Sequence, residues 1–317
     1  YAQSCSLCFA WDVLLCHAGS TRLVLLKAKL WFLIWTVAIL SCAAADNDYT
    51  RTEDVIYGRK HGTALTLDVF TPARANGCGV LVLISGGWFS SHDAINPAFF
   101  KSLLEHGYTV FAVVHGSQPK FTIPEIVQDI HRAVRFVRAN ADRFGIAPDK
   151  LGMTGASAGG HLSLTMAVKG GPGNAMAKDA VERQSSEVQA VACFFPPTDF
   201  LNYGEAGEEA VGIGRLKNFK AAFGGDMPDV EKRREFGREI SPIYFVRSNQ
   251  PPVLILHGDA DKLVPLRQAQ TFVEKSRQAG AIARLDVREG KLHGWAGMDK
   301  DMGIFADWFD EHLRKSR

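Results

Sequence analysis

Cysteine is scarce in this chain: there are six in 317 residues, and Cys5, Cys8, Cys16 and Cys42 all precede residue 43. Only Cys78 and Cys193 remain for the body of the sequence, too few for a disulfide framework, and both are expected to be free thiols. No H-E-x-x-H run, no paired C-x-x-C segments and no phosphate loop occur, so no metal and no nucleotide cofactor is expected. Gly212-Ile213-Gly214 lacks the third glycine that dinucleotide binding requires. An excess of one charge is lacking as well, since 36 Lys and Arg stand against 34 Asp and Glu. Leaving out residues 1–45, with Arg22, Lys27, Lys29 and Asp12, makes the two signs equal in number. That balance gives no electrostatic case for nucleic acid or an anionic surface as partner. Oligomeric state has no signal in the sequence.

Methionine is absent before Met153, and the only long apolar run, Leu30–Leu40, is shorter than the roughly 20 residues of a membrane-spanning helix. It follows the basic Lys27 and Lys29 and precedes the small residues Ala43-Ala44-Ala45. Basic region, apolar stretch and A-x-A site together read as a secretory signal cleaved after Ala45, with translation starting at Leu26 and the product exported. The rival readings are lipidation at Cys42, after Ile39-Leu40-Ser41, and a retained anchor.

Residues 46–317 are long enough for one α/β domain with a full core. Apolar strand patterns fall at 55–57, 64–70, 79–85, 109–114, 150–154, 188–194, 252–257 and 283–287. Helical patterns fall between most of them: 98–105 before Gly107, 124–144 before Gly145, 268–278 before Gly280, and 304–313. In the second, Ile126, Ile130, Val134 and Val137 repeat at helical spacing. Alternation of this kind predicts a mostly parallel sheet of about eight strands covered by helices, its first two strands forming an antiparallel edge hairpin. The alternation lapses over 202–247, which is expected to be a small helical cap insertion; the bland alternative is a solvated excursion.

Within that frame, Gly155-Ala156-Ser157-Ala158-Gly159 joins an apolar strand pattern to an apolar helix pattern. Small residues around a serine at such a junction permit the sharp bend that presents a hydroxyl as a nucleophile. Downstream, His257-Gly258-Asp259-Ala260-Asp261 follows a buried-strand run, placing two acids on a loop at the strand's C-terminal end. His293, ahead of Gly294-Trp295, is the one histidine of ten on a loop after the last expected strand. Serine, acid and histidine in that chain order fit a base that takes the serine proton and a carboxylate that fixes the imidazole tautomer. His161 and His257 are expected to be packed structural residues. Ser85-Gly86-Gly87-Trp88 follows another buried run, and its glycines are expected, with Ala158, to aim backbone N–H groups at an oxyanion. Trp88 is then a candidate wall of the substrate pocket.

From about Val55 onward the chain resembles the acetyl-esterase/lipase group of bacterial α/β-hydrolases, related to hormone-sensitive-lipase-like and feruloyl-esterase-like enzymes. The resemblance rests on Val80 to Trp88, Pro119 to Arg138, Phe144 to Leu162, Pro196 to Phe200, Ser241 to Val246, His257 to Pro265 and Leu292 to Trp295. It implies the α/β-hydrolase fold and a triad of Ser157, Asp261 and His293, because in that pattern the second aspartate of the loop is the triad member and the first caps turn amides. The group usually carries His-Gly-Gly-Gly where this chain has Ile84-Ser85-Gly86-Gly87. The resemblance further implies a carboxylesterase acting on short-acyl or aryl esters, including small-molecule or oligosaccharide esters such as acetylated or feruloylated plant-polysaccharide fragments. The alternatives are a peptidase resembling the prolyl-oligopeptidase catalytic domain, whose propeller these residues do not contain, and an idle hydrolase-like binding protein.

Overall fold

The computed structural model describes residues 48–315, so the expectations for a signal segment, lipidation at Cys42 and a start at Leu26 lie outside the described residues. Eight strands form one sheet: β1 (Tyr49–Lys60), β2 (Thr63–Pro72), β3 (Gly79–Leu83), β4 (Thr109–Val114), β5 (Leu151–Ala156), β6 (Ala190–Phe194), β7 (Val253–Gly258) and β8 (Ala283–Arg288). Their order is β1-β2-β4-β3-β5-β6-β7-β8. β1 pairs antiparallel with β2 and β2 antiparallel with β4, while every pair from β4 to β8 is parallel. The expected edge hairpin and α/β-hydrolase sheet are therefore both present.

The central strands are buried almost throughout and mostly apolar because both faces of the sheet are covered. Leu81, Leu83, Met153, Cys193 and Ile255 belong to one core, with Ile126, Ile130, Val134 and Val137 of α2 (Ile123–Ala139) and Leu162 and Met166 of α3 (Ala158–Lys169). Val80, Val82, Ala192, Phe194 and Leu256 belong to the other, with Leu103 of α1 (Lys101–Glu105) and Phe305 and Phe309 of α6 (Met298–Phe309). Alternate residues of one strand thus serve opposite cores, as a period of two requires. Both Cys78 and Cys193 are buried free thiols.

Several boundaries differ from the sequence expectation. β1 is far longer than Val55–Tyr57, because most of its outer half is exposed and held by pairing with β2, which leaves no apolar signature. The pattern over 98–105 splits into a 3₁₀ turn at Pro97–Phe100 followed by α1. α2 stops at Ala139, and a separate 3₁₀ turn at Asp142–Phe144 leads into left-handed Gly145. The final helix begins at Met298, earlier than Ile304. The 202–247 segment is helical: a 3₁₀ stretch Gly214–Phe223, α4 (Val230–Ile240) and a 3₁₀ turn Pro242–Phe245. Leu216, Ala222 and Phe223 of this segment are buried in the first of the two cores.

A single buried side chain on α5 (Arg267–Gln278) anchors the entry to that segment. Gln268 Oε1 accepts the N–H groups of Thr198 and Asp199 at 2.7 Å each. Its Nε2 donates to the carbonyls of Asp199, Asn202 and Tyr203 at 3.2, 3.1 and 2.6 Å. One amide thereby satisfies polar backbone that would otherwise be buried unpaired.

Candidate active site

Four loops meet at the C-terminal edge of the sheet, where a doubly wound fold places its ligand crevice. They follow β3, β5, β7 and β8 and carry Gly86–Trp88, Ser157, Asp261 and His293 respectively.

β5 runs directly into α3, and the reversal falls on Ser157, whose φ of 55° and ψ of −116° a serine rarely adopts. The close approach of strand and helix explains the glycines. A Cβ on Gly155 would lie 2.6 Å from the Gly159 backbone, and one on Gly159 would lie 2.9 Å from the Leu83 carbonyl oxygen. Two backbone bonds hold the bend, Ser157 N–H to the Phe194 carbonyl at 3.0 Å and His161 N–H to the Ser157 carbonyl at 2.9 Å.

The hydroxyl held there faces an imidazole, with Ser157 Oγ 2.8 Å from His293 Nε2. His293 Nδ1 lies 2.7 Å from Asp261 Oδ2, on a carboxylate whose side chain is wholly buried. Asp261 Oδ1 accepts the N–H groups of Leu263 and Val264, both at 2.9 Å. His257 Nε2 donates to the Val264 carbonyl at 2.8 Å and sits 3.4 Å from Asp261 Oδ2. Burial alone would raise the Asp261 carboxyl, but hydrogen bonds from His257, His293 and the Val264 amide outweigh it and hold the group well below the usual carboxylate range. An ionised Asp261 keeps the proton on His293 Nδ1, which leaves the Nε2 lone pair for the serine hydroxyl. Asp259 stands outside this chain of bonds, its Oδ1 accepting the Gly290 N–H at 2.7 Å. His161 and His257 are both fully buried and hydrogen-bonded, as expected of packed residues.

The loop after β3 departs from expectation in two ways. Gly86 and Phe89 exchange both backbone hydrogen bonds at 2.9 Å, closing a two-residue turn over Gly87 and Trp88, whose φ values are 55° and 60°. The Gly86 N–H, expected to face an oxyanion, is consumed by that turn. Among the described residues, the amides of Gly87, Trp88 and Ala158 have no protein acceptor. Trp88 is the second correction: its side chain is 2 % exposed and lies in the core, so it forms no open pocket wall. Large apolar rings pack it there, with Phe223 at 5.3 Å, Phe200 at 6.0 Å and Phe219 at 6.1 Å between ring centroids.

Sequence reasoning passed over Gln118. Its Nε2 donates to the Gly87 carbonyl at 2.9 Å and its backbone N–H to the Trp88 carbonyl at 3.2 Å, tethering the turn from outside. A lone glutamine on a loop carries no pattern that would have revealed this.

Sheet order, elbow and converging loops define an α/β-hydrolase. A family model described as BD-FAE matches residues 67–276, and the chain belongs to that family. It is 29% identical over 236 residues to a probable carboxylic ester hydrolase, LipM, of Mycobacterium tuberculosis, covering 73% of this chain and 53% of LipM. It is 25% identical over 245 residues to the isoprenylcysteine alpha-carbonyl methylesterase ICME of Arabidopsis thaliana, covering 75% of this chain and 55% of that protein. The chain thus spans about half the length of the curated relatives it matches. Among solved structures, a truncated carbohydrate esterase from gut microbiota superposes with a TM-score of 0.73 at 28% identity, covering 86% of this chain and 99% of that one.

Proposed function

We propose that this protein is a serine carboxylesterase working through Ser157, His293 and Asp261. The observation that carries the reading is the continuous hydrogen-bonded path from Ser157 Oγ through His293 to the buried Asp261. His293 Nε2 accepts the hydroxyl proton as Oγ attacks the ester carbonyl. The amides of Gly87 and Ala158 stabilise the oxyanion, with the Trp88 amide as a further unspent donor in place of Gly86. His293 then protonates the departing alcohol, and water activated by the same imidazole releases the acid from the acyl-enzyme.

The substrate class follows from similarity. The carbohydrate esterase named above favours acylated saccharides, including acetylated or feruloylated plant-polysaccharide fragments, and the signal-like Leu30–Ala45 stretch favours an exported enzyme that meets them outside the cell. The helical 202–247 segment acts as the cap, since its Phe219 and Phe223 pack on Trp88 beside the oxyanion loop.

Hydrolysis of p-nitrophenyl acetate, butyrate and octanoate by the wild type and Ser157→Ala tests the reaction. The wild type turns over the short esters and the variant does not; equal rates remove Ser157 as nucleophile. A panel of acetyl-xylan, methyl ferulate and aminoacyl-arylamides ranks the substrate classes, and faster arylamide hydrolysis would favour a peptidase.

A further inference from the structure

An oxyanion hole is built from two pieces of backbone that must converge on one oxygen. Here one piece is the first residue of α3, Ala158, and the other is the Gly87–Trp88 turn after β3. These belong to different loops, so something must fix their separation. The turn holds Trp88 at φ 60°, a conformation that an aromatic residue keeps only when its surroundings impose it.

The buried face of the site contains one side chain that spans both pieces. His161 lies one helical turn beyond Ser157, and its backbone N–H donates to the Ser157 carbonyl. The imidazole is fully buried. Its Nδ1 accepts the Trp88 indole N–H at 3.2 Å, and its Nε2–H donates to the Ile240 carbonyl at the end of α4 at 2.7 Å. The ring stands edge-on to Trp88 and to Phe200, with centroids 5.7 and 5.3 Å away. Both nitrogens are thus spoken for, and only the neutral tautomer with its proton on Nε2 satisfies both partners.

Resting on the esterase reading, we propose that His161 is the positioning residue of the oxyanion hole: it ties the Trp88 turn to the nucleophile helix and both to the 202–247 segment. It touches no substrate and acts through Trp88. Burial keeps the imidazole neutral, with its pKa pushed down to about 4, so the tie is intact at neutral pH. A residue that merely fills the core would, when altered, lower stability and leave the ratio of transition-state to ground-state binding alone. A residue that sets the hole's geometry changes that ratio.

Trp88→Phe removes the indole N–H together with part of the bicycle, so it breaks the tie and also leaves a small cavity, whose cost the melting temperature reads separately. The wild type, Ser157→Ala, Trp88→Phe, His161→Ala, His161→Asn and the Trp88→Phe/His161→Ala pair are compared by kcat and KM on p-nitrophenyl acetate. Inhibition by a trifluoromethyl ketone, which forms an oxyanion on the serine, and the melting temperature are measured alongside. Trp88→Phe is expected to lower kcat about tenfold or more with KM nearly unchanged, and to weaken the ketone by the same factor. His161→Asn, which keeps an acceptor near Nδ1, is expected to lose less than His161→Ala, and the double variant to be no slower than His161→Ala alone. If Trp88→Phe matches the wild type in kcat and ketone affinity, the proposal is overturned, whether or not the His161 variants fold. A wild type no faster than Ser157→Ala overturns the esterase reading, and the proposal with it.

Discussion

Phe219 of the 202–247 segment packs against Gly87 so closely that a Cβ on Gly87 would collide with its Cε1 and Cδ1. The contact joins the segment to the turn proposed to offer an oxyanion donor, and Gly87 is required twice over, by its φ of 55° and by the ring. Gly87→Ala therefore carries a backbone penalty of about 1 kcal/mol and must also displace either the turn or Phe219. Displacing the turn moves the amide, and a misplacement of about 1 Å costs on the order of 100-fold in rate. The expected outcome is a fall of about that size in kcat/KM on p-nitrophenyl acetate, with part of it restored in Gly87→Ala/Phe219→Ala. A double variant no better than Gly87→Ala would show that Phe219 does not constrain the turn.

The two aspartates of the β7 loop give a sharp internal control. Asp261 supports the His293 tautomer from a buried position, whereas Asp259 caps the Gly290 amide at the surface. Asp261→Asn leaves a similar shape but permits the wrong tautomer, and kcat is expected to drop about 10⁴-fold. Ser157→Ala removes the proposed nucleophile and is expected to lose at least as much. Asp259→Asn removes one exposed charge while keeping an oxygen for the Gly290 N–H, and is expected to leave kcat within a few-fold of the wild type. Comparable losses in both aspartate variants would mean that the loop's shape, and not the Asp261 charge, is what the rate depends on.

The residues that could be read from the sequence are those whose roles are local. Val80–Leu83 and Val253–Leu256 are apolar on both faces because the sheet is covered on both sides, and that signal survives without any knowledge of neighbours. Ser157 is visible because its glycines must be there for strand and helix to approach. The misses are tertiary. Whether the Gly86 amide is free depends on Phe89 reaching back to it, and a pair of glycines reads the same either way. Trp88 next to an expected active site suggested a pocket wall, yet Phe200 and Phe223 from distant segments enclose it. The outer half of β1 is held by its hydrogen bonds to β2, which no side-chain pattern announces.

Cys78 and Cys193 offer a check on the packing of the sheet. Each is about 1 % exposed or less, and burial pushes both thiols up from their ordinary pKa. A thiol that is both inaccessible and protonated is a poor nucleophile. Native protein is expected to show no labelling by iodoacetamide at pH 8 by mass spectrometry, and two labels after unfolding for a chain beginning beyond residue 45. Rapid labelling of Cys193 in the native state would contradict its buried place in β6.

Acid sensitivity should arise from the buried imidazoles. His115, His131 and His161 are each pushed down to about 4, chiefly by burial, with Lys60, Arg135 and Lys169 opposing a further positive charge nearby. In the unfolded chain a histidine titrates near about 6.5. Between these values the unfolded state binds protons that the folded state refuses, so stability is full above about pH 6.5 and falls as the pH drops toward 4. Each imidazole contributes a slope of up to about 1.4 kcal/mol per pH unit inside that window. Asp261, held below its ordinary value, adds a loss only at still lower pH, while Asp129, raised by burial in spite of Lys60, works in the opposite sense near the window's acid end. Urea unfolding at pH 8, 7, 6 and 5 is expected to give nearly constant stability at the first two and a steep fall across the last two. His131→Gln, which replaces the least enclosed of the three, should flatten that fall by about a third; a free energy of unfolding that stays level from pH 7 to 5 would mean that these imidazoles already bind their protons in the native state.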